Sequence, residues 1–175
     1  DLQTAIEAAS DGEDLIMMPG TYEAKPTAFV EQLCGNCEEH RTEVRATVGF
    51  RVVGKAIRLA GSGPSLTTLV TRAGYGLYFE NSRGSVVSGL KITGGVRDPD
   101  GSATDAAVVA RTSRVTLEDL LIADNTDRAD DVVVGIGGVM GREGAELLIA
   151  GNTIRNNGWD GVALYRGAVA TITDN

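Results

Sequence analysis

The segment Val115-Thr116-Leu117-Glu118-Asp119 has an apolar residue at its centre and a turn-forming residue at its end, and four other segments share this pattern. They are Ile57-Arg58-Leu59-Ala60-Gly61, Ser85-Val86-Val87-Ser88-Gly89, Leu147-Leu148-Ile149-Ala150-Gly151 and Ala170-Thr171-Ile172-Thr173-Asp174. The central residues, which we call anchors, are 28, 30, 32 and 23 residues apart: Leu59, Val87, Leu117, Ile149 and Ile172. A repeat of about 20 to 50 residues predicts a solenoid, in which each repeat packs on its neighbours.

Each repeat has the pattern of three short β-strands. Val115-Thr116-Leu117 alternates apolar and polar residues, which is the period of a strand. A second strand follows the anchor after a two-residue corner, at residues 90–92, 120–122 and 152–154. A third strand precedes the anchor by eight residues, at Phe79, Val109 and Leu164. Three strands per turn, stacked in register, predict a parallel β-helix.

The opening of the chain adds a family resemblance. An apolar helical pattern, Leu2-Gln3-Thr4-Ala5-Ile6-Glu7-Ala8-Ala9, precedes a strand that ends in Pro19-Gly20-Thr21-Tyr22. With the coil beginning at Ala56, this opening resembles the right-handed parallel β-helix proteins of the pectin-lyase-like superfamily. The resemblance implies an all-β, three-stranded right-handed parallel β-helix with an N-terminal capping helix at about residues 2–10.

We expect one domain over residues 1–175, with a cap and first strand (1–22), a cysteine-containing insert (23–50) and stacked coils (51–175). No cap appears at the C-terminal end, so we expect the natural polypeptide to continue or the open coil to mediate self-association.

Composition narrows the class of partner. The formal net charge is −8, which argues against nucleic acid, because nucleic-acid-binding proteins usually have a basic face. The chain contains no run of 18 apolar residues that would span a membrane. The resemblance to carbohydrate-active β-helix proteins favours a secreted extracellular or cell-surface protein, of bacterial type.

Extra residues gather at one corner of the coils, after the second strand, at residues 93–104, 123–134 and 155–160. Stacking would make these three inserts neighbours, and solenoid inserts on one face commonly form the working face. Because Ca²⁺ prefers six to eight oxygen ligands, the inserts predict a calcium site, the alternative being plain solvated turns. The expected ligands are Asp98, Asp100, Asp105, Asp127, Asp130 and Asp131.

The third strands would form the floor of a groove beside these inserts. Alternation places Tyr78 and Glu80 outward, together with Val108, Ala110, Ala163 and Tyr165. Trp159 would lie at the rim, and aromatic faces beside acidic groups suit sugars. We expect a polysaccharide partner, bound by Tyr78, Glu80, Trp159, Tyr165 and Arg166.

The resemblance also implies a chemistry. In polysaccharide lyases of this fold, a basic side chain removes a proton beside a uronate carboxylate that calcium neutralises. Arg97 and Arg128 are the expected base and substrate clamp, unless they only pair with neighbouring aspartates. A hydrolase would instead need two carboxylates, for which Asp100, Asp124 and Asp127 are candidates. A uronan epimerase and a non-catalytic sugar-binding or surface-display module are further alternatives.

The insert holds both cysteines and the single histidine, in Cys34-Gly35-Asn36-Cys37-Glu38-Glu39-His40. A disulfide between Cys34 and Cys37 fits a secreted protein. A metal site from both cysteines and His40, with Glu43 as a fourth ligand, and a pair of free thiols are the alternatives.

Overall fold

The computed structural model describes residues 1–34, Glu39, 42–100, 103–129 and 132–175. Over these residues the chain forms one helix, α1 (Leu2–Ala8), and seventeen strands in three sheets. No helix in this part of the chain is both long and apolar enough to cross a membrane.

After the first turn, each complete turn of the chain adds one strand to each sheet. The first sheet contains β1 (Glu13–Ile16), β5 (Ile57–Ala60), β8 (Arg83–Ser88), β11 (Arg114–Glu118), β14 (Glu146–Ala150) and β17 (Val169–Thr173). The second contains β2 (Gly20–Glu23), β6 (Thr67–Val70), β9 (Lys91–Thr93), β12 (Leu121–Ala123) and β15 (Thr153–Arg155). The third contains β3 (Thr27–Cys34), β4 (Thr42–Val53), β7 (Tyr75–Glu80), β10 (Ala106–Arg111), β13 (Gly137–Arg142) and β16 (Val162–Leu164).

The anchors form a single column in the first sheet, as the repeat predicts. The column runs through Leu15, Leu59, Val87, Leu117, Ile149 and Ile172. Its four members from Leu59 to Ile149 are completely buried. Burying one such side chain contributes about 1.5–3 kcal/mol, so the column is a major part of the core. The expectation of an all-β parallel β-helix is confirmed.

Helix α1 covers the first coil. The Asp1 carboxylate caps the helix by accepting a hydrogen bond from the Thr4 backbone N–H at 2.9 Å. Leu2 and Ile6 point into the core. The Gln3 side chain exchanges two hydrogen bonds with the backbone of Arg51 on β4. The helix therefore closes the N-terminal end of the core, as expected.

The third sheet departs from the expected alternation at one point. Ala107 and Val108 are adjacent in β10, and both pack into the coil core. This irregularity shifts the later residues by one, so Ala110 pairs with Phe79 inside, while Val109 pairs with Tyr78 outside. The predictions that Val108 and Ala110 face outward and that Val109 faces inward are therefore wrong.

Strands β3 and β4 form an antiparallel hairpin in the region of the cysteine insert. The second half of β4 pairs in parallel with β7, so this strand is also part of the first coil. Phe29 of β3 contacts the rings of Tyr75 and Tyr78, which places the hairpin over the outer face of the third sheet. Cys37 and His40 lie outside the described residues, and the disulfide, the metal site and the free thiols stay predictions.

Candidate functional site

The inserts after β9, β12 and β15 lie side by side. Val96 and Asp127 form a parallel bridge, and the Arg97 N–H donates to the Asp127 carbonyl oxygen at 2.7 Å. The Gly158 N–H donates to the Asn125 carbonyl oxygen at 3.0 Å. The winding of the chain therefore brings the three inserts to one flank, as the repeat predicts.

A pair of stacked asparagines holds the start of the inserts together. The Asn125 amide donates to the Asn157 side-chain oxygen at 2.9 Å, and the Gly95 N–H donates to the Asn125 side-chain oxygen at 2.9 Å. Asn125 is completely buried, and a buried amide is stable only when its polar atoms are paired. These asparagines hold the inserts in place. In the sequence, the feature that could have revealed them is their spacing of one coil.

Arg97, an expected catalytic base, is enclosed within its insert. It forms an ion pair with Asp105 at 2.6 Å, and both side chains are fully buried. Its other nitrogens donate to the carbonyl oxygens of Val134 and Ala103 at 3.0 and 2.7 Å. A guanidinium held in this way cannot reach a substrate, so the structure gives Arg97 and Asp105 a structural role.

Asp98 connects the first insert to the hairpin. Its carboxylate accepts hydrogen bonds from the N–H and the hydroxyl group of Thr47 at 2.9 and 2.7 Å. The Asp98 N–H in turn donates to Asp105 at 2.7 Å. Burial, and then the charge of Asp105, raise the pKa of the Asp98 carboxyl to about 6.

The other predicted acids and bases are dispersed along the exposed insert edges. Arg128 donates to the carbonyl oxygens of Val132 and Val133 and thereby shapes its own loop. Asp124 is a corner residue with a φ of +60° that pairs with Lys91 at 3.2 Å. Within the described residues, no group of three acidic, cysteine or histidine side chains is placed to hold a metal.

Four of the expected calcium ligands are among the described residues, and no three of them lie close enough together to hold a metal: Asp98, Asp100, Asp105 and Asp127. The other two expected ligands, Asp130 and Asp131, lie outside the described residues.

Tyr78 and Glu80 face outward but are not accessible as the predicted sugar-binding floor. The hairpin leaves Tyr78 only 1% exposed, because the Phe29 ring lies 5.8 Å from its own ring. Burial, followed by the charges of Glu31 and Glu80, raises the Tyr78 pKa to about 12. Glu80 is occupied by ion pairs with Arg51 at 2.8 Å and Arg111 at 3.4 Å.

An ionic cluster extends from the hairpin along the same face. Glu31 and Arg142 form an ion pair between two fully buried side chains, and the Arg142 guanidinium lies 5.3 Å from the centre of the Tyr75 ring. Arg166 pairs with Glu143, and its side chain is only 4% exposed. The structure therefore places Arg166 in this cluster and not in a sugar-binding groove.

Beyond the hairpin, the outer face stays open and forms a shallow pocket. Its lining residues include Trp159, Tyr165, Met140, Ala163 and Asp160. The Trp159 side chain is exposed, with 52% of the residue accessible. Its backbone N–H donates to the Ile136 carbonyl oxygen at 3.0 Å. Burial, and then the charge of Asp160, raise the Tyr165 pKa. Of the predicted sugar-binding residues, the structure brings Trp159 and Tyr165 together.

A comparison against protein families agrees with this fold of parallel strands in register, a capped first coil and inserts on one flank. The model of the right-handed β-helix region matches residues 40–175. The chain belongs to this right-handed β-helix family. No curated protein and no solved structure matches the chain.

Sequence reasoning missed two residues that line the Trp159 pocket. Met140 lies between Val109 and the predicted floor residue Ala163 in one register row of the third sheet, and Gly135 makes a close backbone approach to Gly158. The row could have been read by aligning β10 with β13, but the Gly135-Ile136-Gly137-Gly138 run hides the strand register. Its glycines have no side chains with which to follow the alternation.

Proposed function

We propose that this β-helix protein binds a polysaccharide at the pocket between Trp159 and Tyr165. One observation carries the proposal: a half-exposed tryptophan and a tyrosine lie together on the open part of the outer face. Aromatic rings offer sugars an apolar surface, and the carboxylate of Asp160 offers a polar partner in the same pocket. The family supports carbohydrate as the ligand class only by analogy of fold.

Because Trp159 is the single tryptophan of the chain, its fluorescence reports directly on this pocket. We expect a titration with oligosaccharides of galacturonan, alginate or xylan to change the emission. Trp159→Ala should abolish binding measured by calorimetry. Leu66→Ala removes a side chain of similar exposure (54%) elsewhere and should bind as the wild type does. Equal binding by wild type and Trp159→Ala would refute the proposal.

We propose further that the protein is a calcium-dependent polysaccharide lyase. The adjacent acidic inserts support this activity, with Asp127 and Arg128 exposed on the middle insert. Incubation with uronans and calcium should produce unsaturated sugars that absorb ultraviolet light, and a chelator should stop the reaction. New reducing ends without unsaturation would identify a hydrolase, and a changed uronate composition without cleavage would identify an epimerase. Binding without any turnover would identify a non-catalytic module.

Secretion and self-association are proposals on the same footing. A disulfide between Cys34 and Cys37 would support secretion, and mass spectrometry of alkylated peptides tests it. In the last coil, Val169 and Ile172 are more than half exposed. Sedimentation across a concentration series tests whether copies associate through this coil, and Ile172→Asp should weaken any such association.

A further inference from the structure

A second concavity lies on the flank of the first sheet, at the corner where the chain leaves the third sheet. Its lining residues are Arg83, Thr112, Ser113, Arg114, Gly144 and Glu146. None of these residues lines the Trp159 pocket. The concavity is therefore a separate place on the molecule, and what it binds is independent of the proposed function.

Two arginines of this concavity stand in register on neighbouring strands. Arg83 of β8 pairs with Arg114 of β11, and neighbouring strands lie about 4.8 Å apart. Like charges directly opposite one another are unfavourable, so a negative charge placed here would relieve a repulsion.

The compensation inside the protein is incomplete. Glu146 is the next residue in the same row, on β14. Its carboxylate accepts a hydrogen bond from Arg114 Nε at 2.8 Å and forms an ion pair with Arg114 Nη2 at 2.8 Å. Arg83 forms no ion pair with any residue that the structure describes. Two arginines and one glutamate leave the concavity with one uncompensated positive charge, on a protein whose net charge is −8.

The left-handed backbone at this corner belongs to the coil and recurs in the coils on either side. Thr112 has a φ of +49°, and Asn81 and Glu143 have φ values of +52° and +48° at the equivalent positions. The corner forms a wall of the concavity, and Thr112 is one of its lining residues.

We propose that this concavity binds an oxyanion, such as the carboxylate of a uronic acid or a sulfate group. Arg83 is the principal ligand, because a guanidinium donates two parallel hydrogen bonds to such groups. Arg114 adds positive charge while it stays paired with Glu146.

Calorimetry at constant ionic strength tests the proposal with sulfate, phosphate, galacturonate and the uncharged methyl ester of galacturonate, each against a chloride background. We expect the wild type to bind oxyanions and Arg83→Gln to bind them at least tenfold more weakly. Arg58→Gln is the matched control, because Arg58 is an exposed arginine on the neighbouring strand outside the concavity, and it should bind as the wild type does.

The choice of ligands also distinguishes a uronate site from a sulfate site. Binding of galacturonate but not of its ester or of sulfate would identify a uronate site, and binding of sulfate alone would identify a sulfate site. Absence of oxyanion binding by the wild type, or equal binding by Arg83→Gln, would overturn the proposal.

Stability provides a second readout. Without oxyanion, Arg83→Gln should be at least as stable as the wild type, because it removes a repulsion. A marked loss of stability would show that Arg83 is structural and would overturn the proposal. Trp159→Ala should keep full oxyanion binding, so failure of this site and failure of the sugar pocket are distinguishable.

Discussion

At the scale of single residues, the corners of the coil depend on left-handed backbone. Gly89, Asp119, Gly151 and Asp174 have φ values between +52° and +67° at equivalent corners of successive coils. Glycine, asparagine and aspartate adopt this conformation at little cost, whereas other residues lose about 1–2 kcal/mol. The left-handed corner geometry therefore favours these four Gly and Asp residues at the ends of their repeats.

Thr112 violates this preference and offers a test. Thr112→Asn should raise the free energy of unfolding by about 1 kcal/mol, because asparagine tolerates a positive φ better than a β-branched residue. Urea denaturation without added oxyanion measures the change. Thr116→Asn, in the middle of strand β11, is the control and should not stabilise. A destabilised Thr112→Asn would show that the hydroxyl group matters more than the strain.

The raised pKa of Asp98 predicts a pH dependence of stability. Because burial and Asp105 raise this pKa to about 6 in the folded state, and an unfolded Asp has a pKa of about 3.9, the folded protein binds the extra proton between these values. The contribution of Asp98 to stability is therefore complete below about pH 4 and is lost as the pH rises through about 6.

Denaturation of the wild type and Asp98→Asn across pH 4–8 measures this contribution. The difference in stability between the two proteins should change in favour of Asp98→Asn as the pH rises. A difference that is constant with pH would contradict the assignment.

At the scale of elements, the hairpin of β3 and β4 decides which part of the third sheet is accessible. Its Phe29 and Glu31 cover Tyr75, Tyr78 and Arg142. In the first coils the hairpin therefore covers the outer face of the third sheet. In the last coils this face is open to solvent near Trp159. The hairpin, together with the inserts, positions the candidate site.

The buried ion pair of this hairpin predicts a large mutational effect. Glu31→Gln should lower the free energy of unfolding by about 3–5 kcal/mol, because it removes the nearest charged partner of the buried Arg142 and leaves the longer pair with Glu143 at 3.6 Å. Glu23→Gln breaks an exposed pair with Arg72 and should cost less than about 1 kcal/mol. Urea denaturation compares the two variants. Equal losses would show that the Glu31 pair contributes no more than a surface pair.

At the scale of the whole molecule, the stacked coils share one core. Each coil is paired by the coils on either side of it, so a defect in a central coil affects contacts with both neighbours. Leu117 lies in the middle of the anchor column and is completely buried.

Leu117→Ala should therefore cost about 2–5 kcal/mol of unfolding free energy, since it leaves a cavity in a packed core. Leu148 points outward from the neighbouring strand and is 41% exposed. Leu148→Ala is the matched control, and we expect it to cost less than about 1 kcal/mol. Thermal or urea unfolding measures both, and a small effect of Leu117→Ala would contradict a shared core.

The anchors, the capping helix and the position of the inserts follow from the sequence, because they depend on spacing and alternation within each repeat. The contents of the site follow less well. Trp159 and Tyr165 were predicted as sugar-binding residues and line one pocket. Tyr78 was predicted with them and also points outward, but the hairpin covers it. Arg97 and Asp98 were predicted to act on a substrate or a metal, but both are buried inside the insert.

The sequence by itself determined the coil and the register of its first sheet, since the alternation within a strand and the repeat of about 30 residues can both be read along the chain. In the third sheet the irregularity in β10 shifted the register away from simple alternation. The tertiary structure alone decided which outward side chains meet solvent. Glu31 and Arg142 are 111 residues apart in the chain, and no local pattern connects them. Their contact forms because the hairpin folds back over a sheet that exists only after the coils have stacked.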